Sequence, residues 1–126
     1  METHLFHQQK AMKDYTDWTG IKIKAWSLFV EGQHDFFRNE VLTALAGKYN
    51  RTVAQAELRW LTQRGIIVIP KSVHRNRIEE NFNSLDFRLL DEDMELLATC
   101  DIGKPVADDF DNPDFVYDLC TRKYDF

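Results

Sequence analysis

Four consecutive β-branched residues, Ile66-Ile67-Val68-Ile69, stand between Gly65 and Pro70. An apolar run without alternation reads as a strand covered on both faces, the pattern of a parallel sheet enclosed by helices. Pro70 has no N–H to donate and ends the ladder. Lys71, Ser72, His74, Arg75 and Arg77 follow within seven residues, with no acid among them. A strand's carboxyl end feeding a basic, hydroxyl-bearing loop and then a helix suits a phosphate, because the free backbone N–H groups and the helix dipole favour an anion. Basic residues in a loop are more often a solvated surface than a ligand site. The order strand, loop, helix favours the anion site, and so does the contrast with a chain whose net charge is −5.

The rest of the chain arranges itself around this stretch. Met1 to Phe6 reads as a short strand with its exit loop, and His7 to Thr19 as a helix with Met12, Tyr15 and Trp18 near one face and Gly20 as its stop. Ile21 to Trp26 opens with apolar–polar alternation, a second strand. Ser27 to Phe37 is a loop whose Phe29, Phe36 and Phe37 serve either the core or a ligand wall, with the core preferred. Asn39 caps a helix through Tyr49, with Val41, Leu42, Leu45 and Ala46 on its apolar side. Thr52-Val53-Ala54-Gln55 has the form of a capping box. Its helix runs to Arg64, with Val53, Ala56, Trp60 and Leu61 facing inward, and Gly65 ends it. A helix from Arg75 to Asn83 carries Ile78 and Phe82, and Asp91 caps another through Cys100 built on Met94, Leu97 and Ala98. Asp101 to Phe126 holds seven Asp and reads as an extended tail with docked aromatics. Strands alternating with helices imply βαβ units and a parallel sheet, either open or closed into a barrel.

Composition excludes several roles. The 126 residues suffice for one domain and one modest core. No apolar run approaches a membrane span, and Met1 to Met12 has no signal-peptide core. Net negative charge argues against general nucleic-acid binding. His4, His7, His34 and His74 form no metal pattern. Cys100 and Cys120 lie far apart, and two free thiols in a reducing cytoplasm are the expectation.

Ile69-Pro70-Lys71-Ser72, then Arg77, Glu80-Asn81 with Phe82, and the Asp86-Phe87 pair resemble the C-terminal nucleotide-binding signature of the aldo-keto reductases. An ordered tetrapeptide with further fixed positions is far more specific than a lone glycine-rich loop. The resemblance runs from Met1 to about Asp101, with Glu2-Thr3-His4 and Gln8-Gln9 similar to the sixth barrel strand and its exit, and Ala25-Trp26-Ser27 to the end of the seventh. It implies an α/β fold, a partial (β/α)8 TIM barrel comprising about the last three βα units plus a C-terminal helix and tail. Residues 1–126 would form the C-terminal part of an NADP-dependent oxidoreductase domain.

By the same resemblance the cofactor is NADPH. Lys71, Ser72, Val73 and Arg77 would surround the 2′-phosphate, Glu80 and Asn81 would lie at the adenine, Trp26 would stack on the nicotinamide, and Ser27 and Phe29 would approach the pyrophosphate. Without the resemblance Trp26 reads as a core aromatic. The loop after Trp26 departs from the family pattern, carrying Leu28 and Phe29 where a proline and a leucine are usual. The family's Asp, Tyr, Lys and His tetrad belongs to earlier strands, so no catalytic residue is assigned. A whole barrel needs roughly 250 residues. Strands cut from a barrel leave unpaired edges, so the expected partners are an N-terminal half-barrel chain or a second copy. The competing readings are a reductase piece inactive alone, a non-catalytic NADP-binding module, and a half-barrel awaiting its complement.

Overall fold

In the computed structural model, residues 1–32, 34–106 and 112–123 are described. Six helices and two short strands follow in the order α1 (Lys10–Thr19), β1 (Lys24–Ala25), α2 (Glu40–Lys48), α3 (Val53–Gln63), β2 (Ile67–Val68), α4 (Arg75–Phe82), α5 (Asp91–Ala98) and α6 (Pro113–Thr121). Strands β1 and β2 pair in parallel, Lys24 opposite Ile67 and Ala25 opposite Val68. Glu2 bridges Trp26 on the other side of β1, also in parallel. Three parallel segments thus lie side by side, with α2 and α3 connecting the second to the third.

Local chemistry explains the best-defined helices. The Asn39 side chain accepts the Leu42 N–H at 3.0 Å and starts α2 as anticipated. Both halves of the capping box form at α3: Thr52 Oγ1 accepts the Gln55 N–H at 3.2 Å, and Gln55 Oε1 accepts the Thr52 N–H at 3.1 Å. At the other end Gly65 adopts φ 74, while its N–H reaches Thr62 O and the Ile66 N–H reaches Leu61 O. This Schellman turn needs a left-handed residue, and it delivers the chain straight into β2. The core gathers between these helices and the sheet, around Leu5, Phe36, Leu42, Leu58, Trp60 and Leu97.

Several expectations are corrected. The run Ile66–Ile69 is covered on one face only: Ile66 is buried, but Ile67 is 46% and Ile69 53% exposed. Their side chains alternate across the sheet, and the second face is left about half exposed by the described residues. The first helix starts at Lys10 rather than His7, because His4 and His7 exchange backbone hydrogen bonds in a tight turn and Gln9 is left-handed. Its Met12, Tyr15 and Trp18 are exposed, and Thr16 is its buried residue. Ile78 and Phe82 on α4 are exposed as well. Leu90, extended at φ −68 and ψ 156, holds the cap position of α5, and Asp91 is the first helical residue. Asp91, Glu92 and Asp93 then act on the positive end of the helix dipole.

The reading of residues 101–126 as an extended tail also fails in part. Asn112 caps α6 by accepting the Asp114 N–H, with Pro113 in the first turn, where its missing N–H costs nothing. Residues 107–111 and 124–126 lie outside the described residues.

Glu57 of α3 is fully buried, which the periodicity of its helix did not suggest. Its Oε1 accepts the Leu5 N–H at 3.0 Å, joining α3 to the N-terminal segment. Burial pushes its carboxyl up to about 8, against the pull of the Leu5 N–H and of Arg64.

Candidate nucleotide-binding site

The chain leaves β2 at Val68, passes Pro70 and reaches α4 through a turn closed by Ser72, whose Oγ accepts the His74 N–H at 3.1 Å. His74 precedes α4 without a side-chain cap, and the first turn of α4 carries no acid. The amide ends of that turn therefore keep their positive character. Arg75 is committed to Glu79 at 2.9 Å. Lys71 and Arg77 form no ion pair among the described residues.

Beside this turn lies a cleft of about 360 Å³ lined by Phe29, Phe37, Ala54, Lys71, Ser72, Arg77, Glu80 and Asn81. A second depression, of about 400 Å³, is lined by Trp26, Ser27, Leu28, Phe29, Glu31, Ile69, Pro70 and Lys71. Phe29 and Lys71 border both, so the two adjoin as a groove in two compartments between α4 and the carboxyl end of β1. Each is within the size range of small-molecule sites. One end offers a guanidinium, an ammonium, a hydroxyl, an amide and the Glu80 carboxylate; the other offers an indole, the Ser27 hydroxyl and the Glu31 carboxylate.

Of the nine candidate residues, Trp26, Ser27, Phe29, Lys71, Ser72, Arg77, Glu80 and Asn81 border this groove. Val73 does not; it is 75% exposed on the outer side of the turn. Ser27 is left-handed at φ 56, and its Oγ is buried without a hydrogen-bond partner. Phe37 and Ala54 border the cleft without having been singled out as site residues. Phe37 was one of three loop aromatics with two open readings, and it packs on Phe29 with ring centroids 5.8 Å apart. Of the same three, Phe36 is fully buried core. Ala54 sits in the first turn of α3, where a larger side chain would enter the cleft. Its signal was indirect, namely its place inside the capping box.

Helix α4 is held against α3 at this point. Gln55 Nε2 donates to the Glu80 carbonyl at 3.0 Å, and Thr52 Oγ1 donates to Glu80 Oε1 at 2.5 Å. No group of three or more metal-ligating side chains exists among the described residues. No helix among them is long and apolar enough to cross a membrane.

Comparison with known proteins shows the family. The sequence model of the Aldo/keto reductase family matches residues 1–102. Glyoxal reductase of Bacillus subtilis is 41% identical over 114 residues, 90% of this chain and 40% of that protein. An aldo-keto reductase from a Medee basin deep-sea metagenome library superposes with a TM-score of 0.81 at 35% identity, over 90% of this chain and 42% of that one. A mutant of Gox0644 solved in complex with NADPH superposes with a TM-score of 0.78 at 31% identity, over 98% of this chain and 42% of that one. The chain spans 30–40% of the length of the curated relatives it matches. These neighbours imply a (β/α)8 barrel family, of which this chain covers part. It belongs to the aldo/keto reductase family of oxidoreductases.

Proposed function

We propose that this chain holds the adenosine 2′-phosphate end of NADPH for a carbonyl reductase, and that the reduction itself uses residues outside these 126. The observation carrying the reading is the single cleft onto which Lys71, Ser72 and Arg77 converge, with both cations unpaired among the described residues. A planar guanidinium matches a phosphate with two parallel donors, and its flat face suits a base. The uncapped first turn of α4 adds backbone donors to the same anion. Trp26 borders the far depression, where an indole face suits the nicotinamide ring. The nucleotide, when bound, supplies the hydride. The chain's own residues bind and orient it, and no proton donor is assigned among them.

The test compares NADPH and NADH binding before and after Arg77→Ala. Charged hydrogen bonds of roughly 1.5–3 kcal/mol predict a loss of about ten- to a hundred-fold for NADPH and a much smaller loss for NADH. Equal losses for both nucleotides would refute a 2′-phosphate site. Turnover of a simple aldehyde by these 126 residues alone would refute the second half of the proposal.

One further observation favours an incomplete barrel over a self-sufficient binding module. Ile67 and Ile69 expose an apolar face beside the open edge of β2, which further parallel strands, from a longer chain or a separate half-barrel, would cover. Self-association through the same apolar face is the competing outcome, and sedimentation of the chain at several concentrations distinguishes the two.

A further inference from the structure

Resting on the adenine assignment above, we infer that Thr52 is a positioning residue for Glu80, so that the cap of α3 sets the nucleotide-base specificity of α4. The side chains of the capping box have two tasks each. Thr52 Oγ1 accepts the Gln55 N–H, which starts α3, and donates its own proton to Glu80 Oε1. Gln55 Oε1 accepts the Thr52 N–H, while its Nε2 donates to the Glu80 carbonyl. One residue of α4 is therefore gripped twice from α3, once by its backbone and once by its carboxylate. A glutamate side chain has three rotatable bonds and is costly to hold in one rotamer. The Thr52 hydroxyl fixes one oxygen, and Oε2, without a hydrogen-bond partner among the described residues, is left to accept from a base amino group at the cleft. Arg77 and Asn81 share that cleft, so orienting Glu80 places an acceptor beside the donors that hold the phosphate.

Capping and positioning are separable by chemistry. Asp caps a helix as well as Thr does, but an ionised Asp has no proton to give Glu80 and repels it. Ser retains both functions. The experiment measures Kd for NADPH and for nicotinamide hypoxanthine dinucleotide phosphate, in which a carbonyl replaces the adenine amino group, on the unaltered chain, T52S and T52D, with thermal melting alongside. A charge added near Arg77 weakens both nucleotides alike, so the ratio of the two Kd values is the readout. The unaltered chain and T52S are expected to prefer NADPH by about ten-fold, and T52D to lose most of that preference while melting normally. An unchanged ratio in T52D overturns the inference alone. Failure of the unaltered chain to bind NADPH overturns both the inference and the function beneath it.

Discussion

Replacing Glu57 with Gln should favour the folded chain more at neutral pH than in acid. The unfolded carboxyl ionises near 4.5, whereas burial raises the folded one to about 8. Between those values the unfolded chain releases a proton that the folded chain keeps, so stability falls as pH rises and levels off near the folded value. At about 1.4 kcal/mol per pH unit, the interval from 4.5 to neutrality costs roughly 3 kcal/mol. Gln has the shape of the protonated acid and keeps an acceptor for the Leu5 N–H, which lies 3.0 Å from Oε1, but it places its amide NH2 where Oε2 is buried without a hydrogen-bond partner, a cost that does not vary with pH. The stability of E57Q relative to the unaltered chain should therefore rise by roughly 2–3 kcal/mol between pH 5 and pH 7. Two charged or titratable neighbours enter this balance: Arg64 of the same helix favours the ionised form, and the Cys100 thiol, itself pushed up mainly by burial, feels the carboxylate. His4, held low chiefly by burial, is present in both proteins and cancels in the difference. Urea unfolding followed by tryptophan fluorescence at several pH values between 5 and 8 gives that difference directly. A gap between the two proteins that does not change with pH would refute the argument.

Two other substitutions probe the frame of the site. Tyr49→Phe removes a hydrogen bond to Asp93 and one from the Leu90 N–H, at a cost of about 1–2 kcal/mol in urea unfolding. Burial opposes ionisation of Asp93, but hydrogen bonds from Tyr49 and Lys48 prevail and hold it below 3.8. Its contribution is therefore present above that pH and lost as pH falls through the folded value, so the cost of Tyr49→Phe should shrink in acid. Ile69→Lys, at a site already half exposed, should change stability by less than about 0.5 kcal/mol. It should nonetheless abolish association through the open sheet face, measured by sedimentation.

The parts of the molecule that were legible in the chain are those written in a few adjacent residues. Asn39 and the Thr52/Gln55 pair announce α2 and α3 because a cap is a contact between neighbours. Gly65 announces its turn because only a left-handed residue completes it. The basic turn was legible for the same reason: Lys71, Ser72 and Arg77 are close in sequence, and a strand followed by a helix leaves them at one end of the sheet. Helix α6 shows the converse. Its Asn112-Pro113 start was a local signal, and the acidic composition around it drew the reading toward an extended tail.

Burial was decided elsewhere. Ile67 and Ile69 are as apolar as Ile66, and Trp18 more bulky than most of the core, yet all three are exposed, while the charged Glu57 is enclosed. A side chain's own chemistry states what it would prefer to touch, but which neighbours reach it depends on segments distant in sequence. Leu5 meets Glu57 across 52 positions, and Phe37 and Ala54 share a cleft with Arg77 only because the loop after β1 and the head of α3 fold toward α4. Helix caps and the basic turn are short-range and follow from residue order; the walls of the cleft and the buried acid are long-range, and packing alone brings them into being.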